Sequence, residues 1–177
     1  SVCVNAPVNI TNTTAGATSY YWNFCVADPN TAPSAVNLGN PGGSLALPVF
    51  TDIVSENGNY YVFVSNNWPG GLVRLDFGNS LLNTPTVVNL GNVGGIIPNT
   101  IEGIQIVRNE GRWYAIMVGG DIINGGIPSR VIKIDFGPNI TNINPIGTNW
   151  GNIGNLAYPV DLHVFQENGI WYGFTVN

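Results

Sequence analysis

"GLVRLDFGNSLLNTPTVVNLGN" (Gly71–Asn92) returns with few changes as "RVIKIDFGPNITNINPIGTNWGN" (Arg130–Asn152). Asp-Phe-Gly lies near the start of each copy, and each copy ends in a Gly-Asn pair. An earlier stretch, "YYWNFC" (Tyr20–Cys25), places Asn23 where the two copies have aspartate, and another Gly-Asn pair follows it at Gly39-Asn40. The chain therefore contains an internal repeat, and the repeating unit is the natural unit of its fold.

A second motif repeats with the same period. The segments "SENGNYYVFVS", "RNEGRWYAIMV" and "QENGIWYGFTV" place Gly58, Gly111 and Gly169 at matching positions. Asn-Gly between strand-like segments is the strongest short-range signal of a tight β-hairpin. Because two unrelated motifs keep a spacing of 53 to 59 residues, we interpret each period as one structural unit.

One period contains four predicted strands. They alternate with Gly, Asn and Pro turns, and no segment of ten or more residues shows helical apolar spacing. Four short antiparallel strands in a repeat of about 50 residues are typical of a β-propeller blade. The fold prediction is thus all-β, a β-propeller-like array of four-stranded antiparallel blades. The predicted strands of the first complete period are Val49–Glu56, Asn59–Ser65, Leu72–Phe77 and Thr86–Leu90.

The phases of the repeat suggest that the array is part of a larger propeller. The predicted blades are residues 1–38 (partial), 39–90, 91–150 and 151–177 (partial), within a single region 1–177. Ser19–Leu38 has third- and fourth-strand features, whereas Pro159–Asn177 has first- and second-strand features. About three blades are too few for a closed ring of four to eight. We expect the remainder of a longer chain, or further copies, to complete it, and favour the longer chain.

Composition narrows the class of partner. Only 8% of the residues are charged, the net charge is −5, and there are five Lys plus Arg in total. So few cations cannot neutralise several phosphates, which argues against nucleic acid as a partner. No apolar run approaches the roughly 18 residues of a membrane helix, so no membrane insertion is expected. We predict neither a metal site nor a cofactor, because Cys3, Cys25 and the single His163 are too few and too scattered.

The two cysteines leave two interpretations. A Cys3–Cys25 disulfide would join neighbouring strands and imply an oxidising compartment. The alternative is a pair of buried thiols. The disulfide is favoured because two strands joined by a turn can bring such residues side by side.

The chain also resembles a known family. "APVNITNTTAGATSYYWNFC" (Ala6–Cys25), "LGNPGG" and "RLDFGNSLLNTPT" look like repeat regions of large secreted cell-surface proteins of gliding and related Bacteroidetes. The opening stretch is also similar to the start of PKD-type modules, although it lacks their usual Gly-Asp-Gly. The resemblance implies type 9 secretion, a secreted or cell-surface location and an adhesin-like role. It carries over no catalytic residues.

One row of polar residues has equivalent positions in three repeats. Aligned on the hairpins, Asp52, Gln105 and His163 are equivalent. Propeller glycosidases use a pair of carboxylates, and Asp52, Glu102 and Asp161 lie near the starts of three first strands. A row of mixed chemistry is more typical of a wet channel, and no nucleophile, phosphate-loop or metal motif is present. We therefore predict no catalytic residues, with a segment of a glycoside hydrolase as the alternative.

Binding through loops is the favoured function. "SNNWPGG" (Ser65–Gly71) and "GGDIINGGIPS" (Gly119–Ser129) differ between repeats whose strands agree, and variable loops on a rigid scaffold usually carry recognition. Trp68 and Trp150 beside amides suit stacking against sugar rings, unless each indole folds over a blade edge. The sequence predicts a non-enzymatic adhesion scaffold for a cell-surface glycan or protein, or else a purely structural spacer. The ligand-binding candidates are Trp68, Trp150, Asn66, Asn67, Asp121, Asp52, Gln105 and His163.

Overall fold

The computed structural model describes residues 35–121 and 127–177, and the compact unit described below is Leu38–Asn177. This part of the chain is built almost wholly from antiparallel β-strands. Its only helical pieces are two single 3-10 turns, Pro41–Gly43 and Val93–Gly95. None of its helices is long and apolar enough to cross a membrane. The proposed Cys3–Cys25 disulfide, Asn23 and the PKD-like stretch lie outside the described residues.

The strands form two four-stranded sheets and one hairpin. Sheet 1 has the order β1-β2-β3-β4, sheet 2 the order β5-β6-β7-β8, and β9 pairs with β10 alone in the described part. The prediction of an all-β fold with four-stranded antiparallel sheets is confirmed. The bounds are β1 Pro48–Glu56, β2 Asn59–Asn66, β3 Gly71–Gly78, β4 Thr86–Gly91, β5 Ile101–Asn109, β6 Arg112–Asp121, β7 Ile127–Gly137, β8 Ile146–Gly151, β9 Val160–Glu167 and β10 Ile170–Val176.

The two sheets repeat each other in local detail. Tyr61 pairs with Asp76 on β3, and Tyr114 pairs with Asp135 on β7. The register shifts by one residue just before each of these tyrosines. The two sheets share the register shift as well as the strand pairing, so the sequence repeat is also a structural repeat. Asp76 and Asp135 thus occupy the same strand in successive sheets.

An asparagine begins each unit of the repeat. Asn92 directly follows β4, accepts a hydrogen bond from the Ile97 N–H at 2.7 Å and donates to the Ile97 carbonyl at 2.8 Å. Asn152 follows β8 and makes the same two bonds with Leu156, at 2.6 and 2.7 Å. Each asparagine holds the start of the connection between a fourth strand and the next first strand. Its side-chain amide bonds both the N–H and the carbonyl of one later residue, in place of backbone partners. We call this feature the asparagine hook.

The main core lies between sheets 1 and 2. Phe63 of β2 and Phe136 of β7 are both fully buried, with their rings edge to face and centroids 5.3 Å apart. Leu72, Met117 and Ile134 are equally inaccessible and belong to the same cluster. Both sheets therefore present a continuous apolar face to the same interface, and burial of this face is the largest stabilising contribution in the described part.

A buried ion pair also lies at this interface. Arg74 of β3 is only 2% exposed, and its Nε and Nη2 donate to Asp76 at 2.6 and 3.1 Å. Its Nη1 donates to the Ile140 carbonyl of sheet 2 at 3.0 Å. The equivalent aspartate of sheet 2, Asp135, caps the turn after the third strand by accepting from the Gly137 N–H at 2.7 Å, whereas the carboxylate of Asp76 is engaged by Arg74.

The first strands of successive units pack close together. A side chain added at Gly103 of β5 would place its Cβ 2.8 Å from the Asp161 carbonyl carbon of the neighbouring unit. Real Cβ atoms do not approach backbone so closely, so only glycine permits this spacing. The close packing brings side chains of β1 within reach of the β5 backbone, and side chains of β5 within reach of the β9 backbone.

Candidate functional site

The loop Asn66–Gly71, here called the Trp68 loop, joins β2 to β3 and presents an aromatic side chain to solvent. Trp68 is 60% exposed. Its backbone has a positive φ of 41°, which is uncommon for a bulky residue and is found at sites where surrounding structure enforces it. The Trp68 N–H donates to the Asn99 carbonyl at 3.2 Å, and the Gly70 N–H donates to Asn99 Oδ1 at 3.2 Å. One asparagine of the next unit therefore fixes the loop on both sides of the tryptophan.

The amides beside Trp68 hold the loop rather than point freely to solvent. Asn67 is buried, accepts from the Ile101 N–H at 2.7 Å and donates to Glu102 Oε1 at 3.1 Å. Asn66 is also buried; it donates to the Ser44 carbonyl at 2.9 Å and accepts from the Ala46 N–H at 3.2 Å. Both predicted ligand-binding amides are therefore engaged with protein groups.

Polar groups that can meet a ligand lie next to the Trp68 loop. Glu102 accepts from Asn67, and its negative charge, followed by burial and then the charge of Asp121, raises the pKa of the Tyr158 phenol. These groups lie at the end of the molecule where β6 ends and β5 and β9 begin. Asp121, a predicted site residue, is buried there. The structure therefore brings a tryptophan, a carboxylate and a phenol to one end of the fold.

The predicted row Asp52, Gln105 and His163 links the first strands. The Asp52 carboxylate accepts from the Ile106 N–H at 2.5 Å, and Gln105 accepts from the Val164 N–H. Ile106 and Val164 each directly follow the next member of the row. The side chains of Asp52 and Gln105 therefore form a ladder of bonds between successive first strands.

The surroundings of Asp52 also raise the pKa of its carboxyl group. Burial raises the pKa of Asp52, and the N–H groups of Ile106 and Ile53 and the charge of His163 only partly oppose that effect. His163, the last member, is exposed on β9, and its predicted role in binding stays a prediction. The row contains one carboxylate, one amide and one imidazole, so it does not form the carboxylate pair of a glycosidase.

Trp150 is in a different environment from Trp68. It lies on β8, is 44% exposed, and Lys133 Nζ is 5.6 Å from the centroid of its ring. The same ammonium group is 5.5 Å from the centroid of the Tyr114 ring. Trp150 also lines a groove beside sheet 2. It is therefore part of a strand, whereas Trp68 is part of a loop.

Sequence reasoning missed Asn99 and Tyr158, two residues at the same end of the fold as the Trp68 loop. Asn99 precedes β5 and fixes the Trp68 loop through both its backbone and its side chain. Tyr158 precedes β9. Both are in connections between units, and only the variability of the loops between second and third strands pointed to that end of the molecule. In the described ranges, no group of three or more His, Cys, Asp or Glu side chains is placed to hold a metal ion.

Comparison with known proteins adds no assignment. No protein-family model matches the chain. No curated protein matches it either.

Proposed function

We propose that this protein is a secreted or cell-surface binding scaffold in which the four-stranded sheets are blades of a β-propeller and the Trp68 loop recognises a glycan. The repeated sheets, their close-packed first strands and the asparagine hooks support the propeller arrangement. A surface with few charges and many amides suits recognition of a neutral ligand rather than of a polyanion. The resemblance to secreted surface proteins favours an extracellular location.

The single observation that carries the glycan proposal is the exposed indole of Trp68 on a loop whose backbone is fixed. One face of a sugar ring consists of C–H groups and packs on an aromatic surface, whereas its hydroxyls need hydrogen-bond partners. Asn99 holds the loop before any ligand arrives, so little conformational entropy is lost on binding. Glu102 and Tyr158 supply an acceptor and a hydroxyl nearby.

Trp68→Ala tests the site. We expect it to weaken binding to any glycan found on an array by ten-fold or more, because the stacking surface is removed. The melting temperature should change little, since a mostly exposed side chain contributes within about 0.5 kcal/mol of stability. Titration calorimetry with the best array ligand and thermal unfolding measure the two effects.

Leu82→Ala is the matched control, because Leu82 is 95% exposed on the loop between β3 and β4. It should leave both glycan affinity and melting temperature unchanged. Unaltered binding by the Trp68 variant would exclude this loop as the recognition site. Hydrolysis of the bound sugar by the wild-type chain would contradict the non-enzymatic assignment.

A further inference from the structure

The end of the fold that carries the Trp68 loop combines groups from two successive units. The N–H groups of Asn67 and Gly120 each donate to the carbonyl of the residue before the first strand of their own sheet, at 3.0 and 2.8 Å. Trp68 and Asp121 directly follow these two residues, so they occupy the same position in successive sheets. This end of the molecule therefore carries an aromatic side chain from one unit and a carboxyl group from the next.

A second carboxylate contacts the Trp68 loop itself. Glu102 is the second residue of β5, and its Oε1 accepts from Asn67 Nδ2 at 3.1 Å. Asn67 directly precedes Trp68, and consecutive Cα atoms are about 3.8 Å apart, so the carboxylate lies beside the backbone that presents the indole. The equivalent positions in the first strands of the other units are Val49 and Val160. The repeat does not require an acid here, so Glu102 is particular to this site.

The cations of the chain are engaged elsewhere. All five Lys and Arg residues are among the described residues. Three of them form the salt bridges of that part of the chain, in the pairs Arg74–Asp76, Arg108–Glu56 and Arg112–Asp135. The other two are Arg130, which donates to backbone carbonyls, and Lys133, which lies over aromatic rings. No Lys or Arg of the described residues therefore forms a salt bridge with Glu102.

The phenol of Tyr158 responds to the negative potential at this end of the fold. The charge of Glu102 is the first cause that raises the pKa of Tyr158, followed by burial and then by the charge of Asp121. A phenol loses its proton less readily near carboxylates, because the phenolate would be a further negative charge. The same potential attracts a positive charge. The site is therefore suited to a ligand that combines a ring for the indole with a cation for the carboxylate.

We propose that the Trp68 loop recognises an amino sugar, a glycan with protonated amino groups, by stacking the ring on Trp68 and pairing the ammonium with Glu102. The C–H face of the ring packs on the indole. The ammonium is attracted both by the aromatic face and by the carboxylate, with which it forms a charge-assisted hydrogen bond. The hydroxyl of Tyr158 supplies a partner for the sugar hydroxyls. This inference rests on the glycan site proposed above and names the class of its ligand.

Two oligosaccharides that differ in the charge of their amino groups test the proposal without a variant. The probes are a β-1,4-linked glucosamine tetrasaccharide and its fully N-acetylated counterpart, compared by titration calorimetry at pH 6. Amines with a pKa of about 7.7 are protonated at this pH, whereas Glu side chains with a pKa of about 4.3 are ionised. We expect the dissociation constant of the glucosamine probe to be at least ten-fold lower. Raising NaCl from about 50 to about 300 mM should narrow the difference, because salt screens charges.

Glu102→Gln isolates the contribution of the charge. It keeps an oxygen that can accept from Asn67 Nδ2, so the loop should stay in place. The variant should bind the glucosamine probe at least ten-fold more weakly and the acetylated probe as well as the wild-type chain does. Glu110→Gln is the matched control, because it makes the same change of net charge in the turn between β5 and β6, at the other end of β5. It should leave both affinities and the melting temperature unchanged.

The outcomes separate this inference from the glycan proposal on which it rests. Equal affinities of the wild-type chain for the two probes, or glucosamine binding that Glu102→Gln leaves unchanged, would overturn recognition of an amino sugar. Failure of the wild-type chain to bind the glucosamine probe at about 1 mM would overturn it as well. Loss of binding to both probes in Trp68→Ala would support the loop as a glycan site whichever probe binds better. Binding of both probes that survives Trp68→Ala would contradict the site itself.

Discussion

The two interfaces of sheet 2 have equivalent residues but different partners. On one side, sheet 1 covers it with four strands, and Phe63 and Phe136 are fully buried. On the other side, the two-stranded β9–β10 hairpin leaves Ile116 and Lys133 along a groove. The burial of side chains on each side of sheet 2 therefore depends on how many strands the neighbouring sheet has, and not on the apolar residues alone.

This difference also separates two tryptophans that the sequence presents alike. Trp68 is exposed on a loop fixed by Asn99, where a ligand from solution can reach it. Trp150 is exposed on a strand beside the groove, and its equivalent in sheet 1, Leu90, packs against the core. Trp68 is thus exposed because its loop presents it to solvent, whereas Trp150 is exposed because its neighbour in the described part of the chain is a two-stranded hairpin.

The largest effect is expected from Phe63→Ala. Removal of a fully buried aromatic ring that packs edge to face on Phe136 should cost about 3–5 kcal/mol of unfolding free energy. Ile116→Ala, at the equivalent position beside the groove, should cost about 1 kcal/mol. Urea denaturation at low protein concentration measures both. Equal losses would show that the two interfaces are covered to the same extent.

Asp76→Ala should come next in size. It leaves the buried Arg74 guanidinium without its carboxylate, which costs about 3 kcal/mol, at the lower end for broken buried pairs because Asp76 keeps some solvent contact. Asp135→Ala should cost only about 1 kcal/mol, because its partner Arg112 is 47% exposed and exposed pairs contribute little.

The double variant Arg74→Met with Asp76→Leu is the control for the buried pair. It removes both charges and replaces them with apolar side chains, so it should recover most of the stability lost in Asp76→Ala. Failure to recover would indicate that Asp76 acts through packing or backbone contacts rather than through Arg74. Guanidinium salts screen charges, so urea is the suitable denaturant for this comparison.

The sequence predicted what is local and missed what depends on the neighbouring sheet. Strand positions and hairpins follow from periodicity and from the turn glycines Gly58, Gly111 and Gly169, which recur at a regular spacing. The roles of Asp76 and Asp135 diverge although the motif is the same, because Arg74 faces sheet 2 whereas Arg112 reaches Asp135 from the adjacent strand β6 of the same sheet. No pattern along one repeat shows which cation from another element reaches a carboxylate.

The Asp52–Gln105 ladder illustrates the same limit and allows a finer comparison. Equivalent positions were visible in the sequence, but their acceptor role depends on how closely the first strands pack. Gln105 shows that a neutral amide serves this position as well as a carboxylate. Asp52→Leu, by contrast, would leave the Ile106 N–H without its acceptor at a cost of about 1–3 kcal/mol.

Asp52→Asn should therefore have the smallest effect, and its sign should depend on pH. Burial raises the pKa of Asp52 above 3.8 in the folded chain, so ionised Asp52 destabilises the fold relative to a neutral acceptor. Above the raised pKa the asparagine variant should be slightly more stable, by less than about 0.5 kcal/mol because solvent screens part of the charge. As pH falls through that pKa to 3.8, folded Asp52 becomes protonated and the advantage should disappear. Urea midpoints of both proteins from pH 7 to pH 3.5 measure this, and an advantage that grows on acidification would show that ionised Asp52 stabilises the ladder.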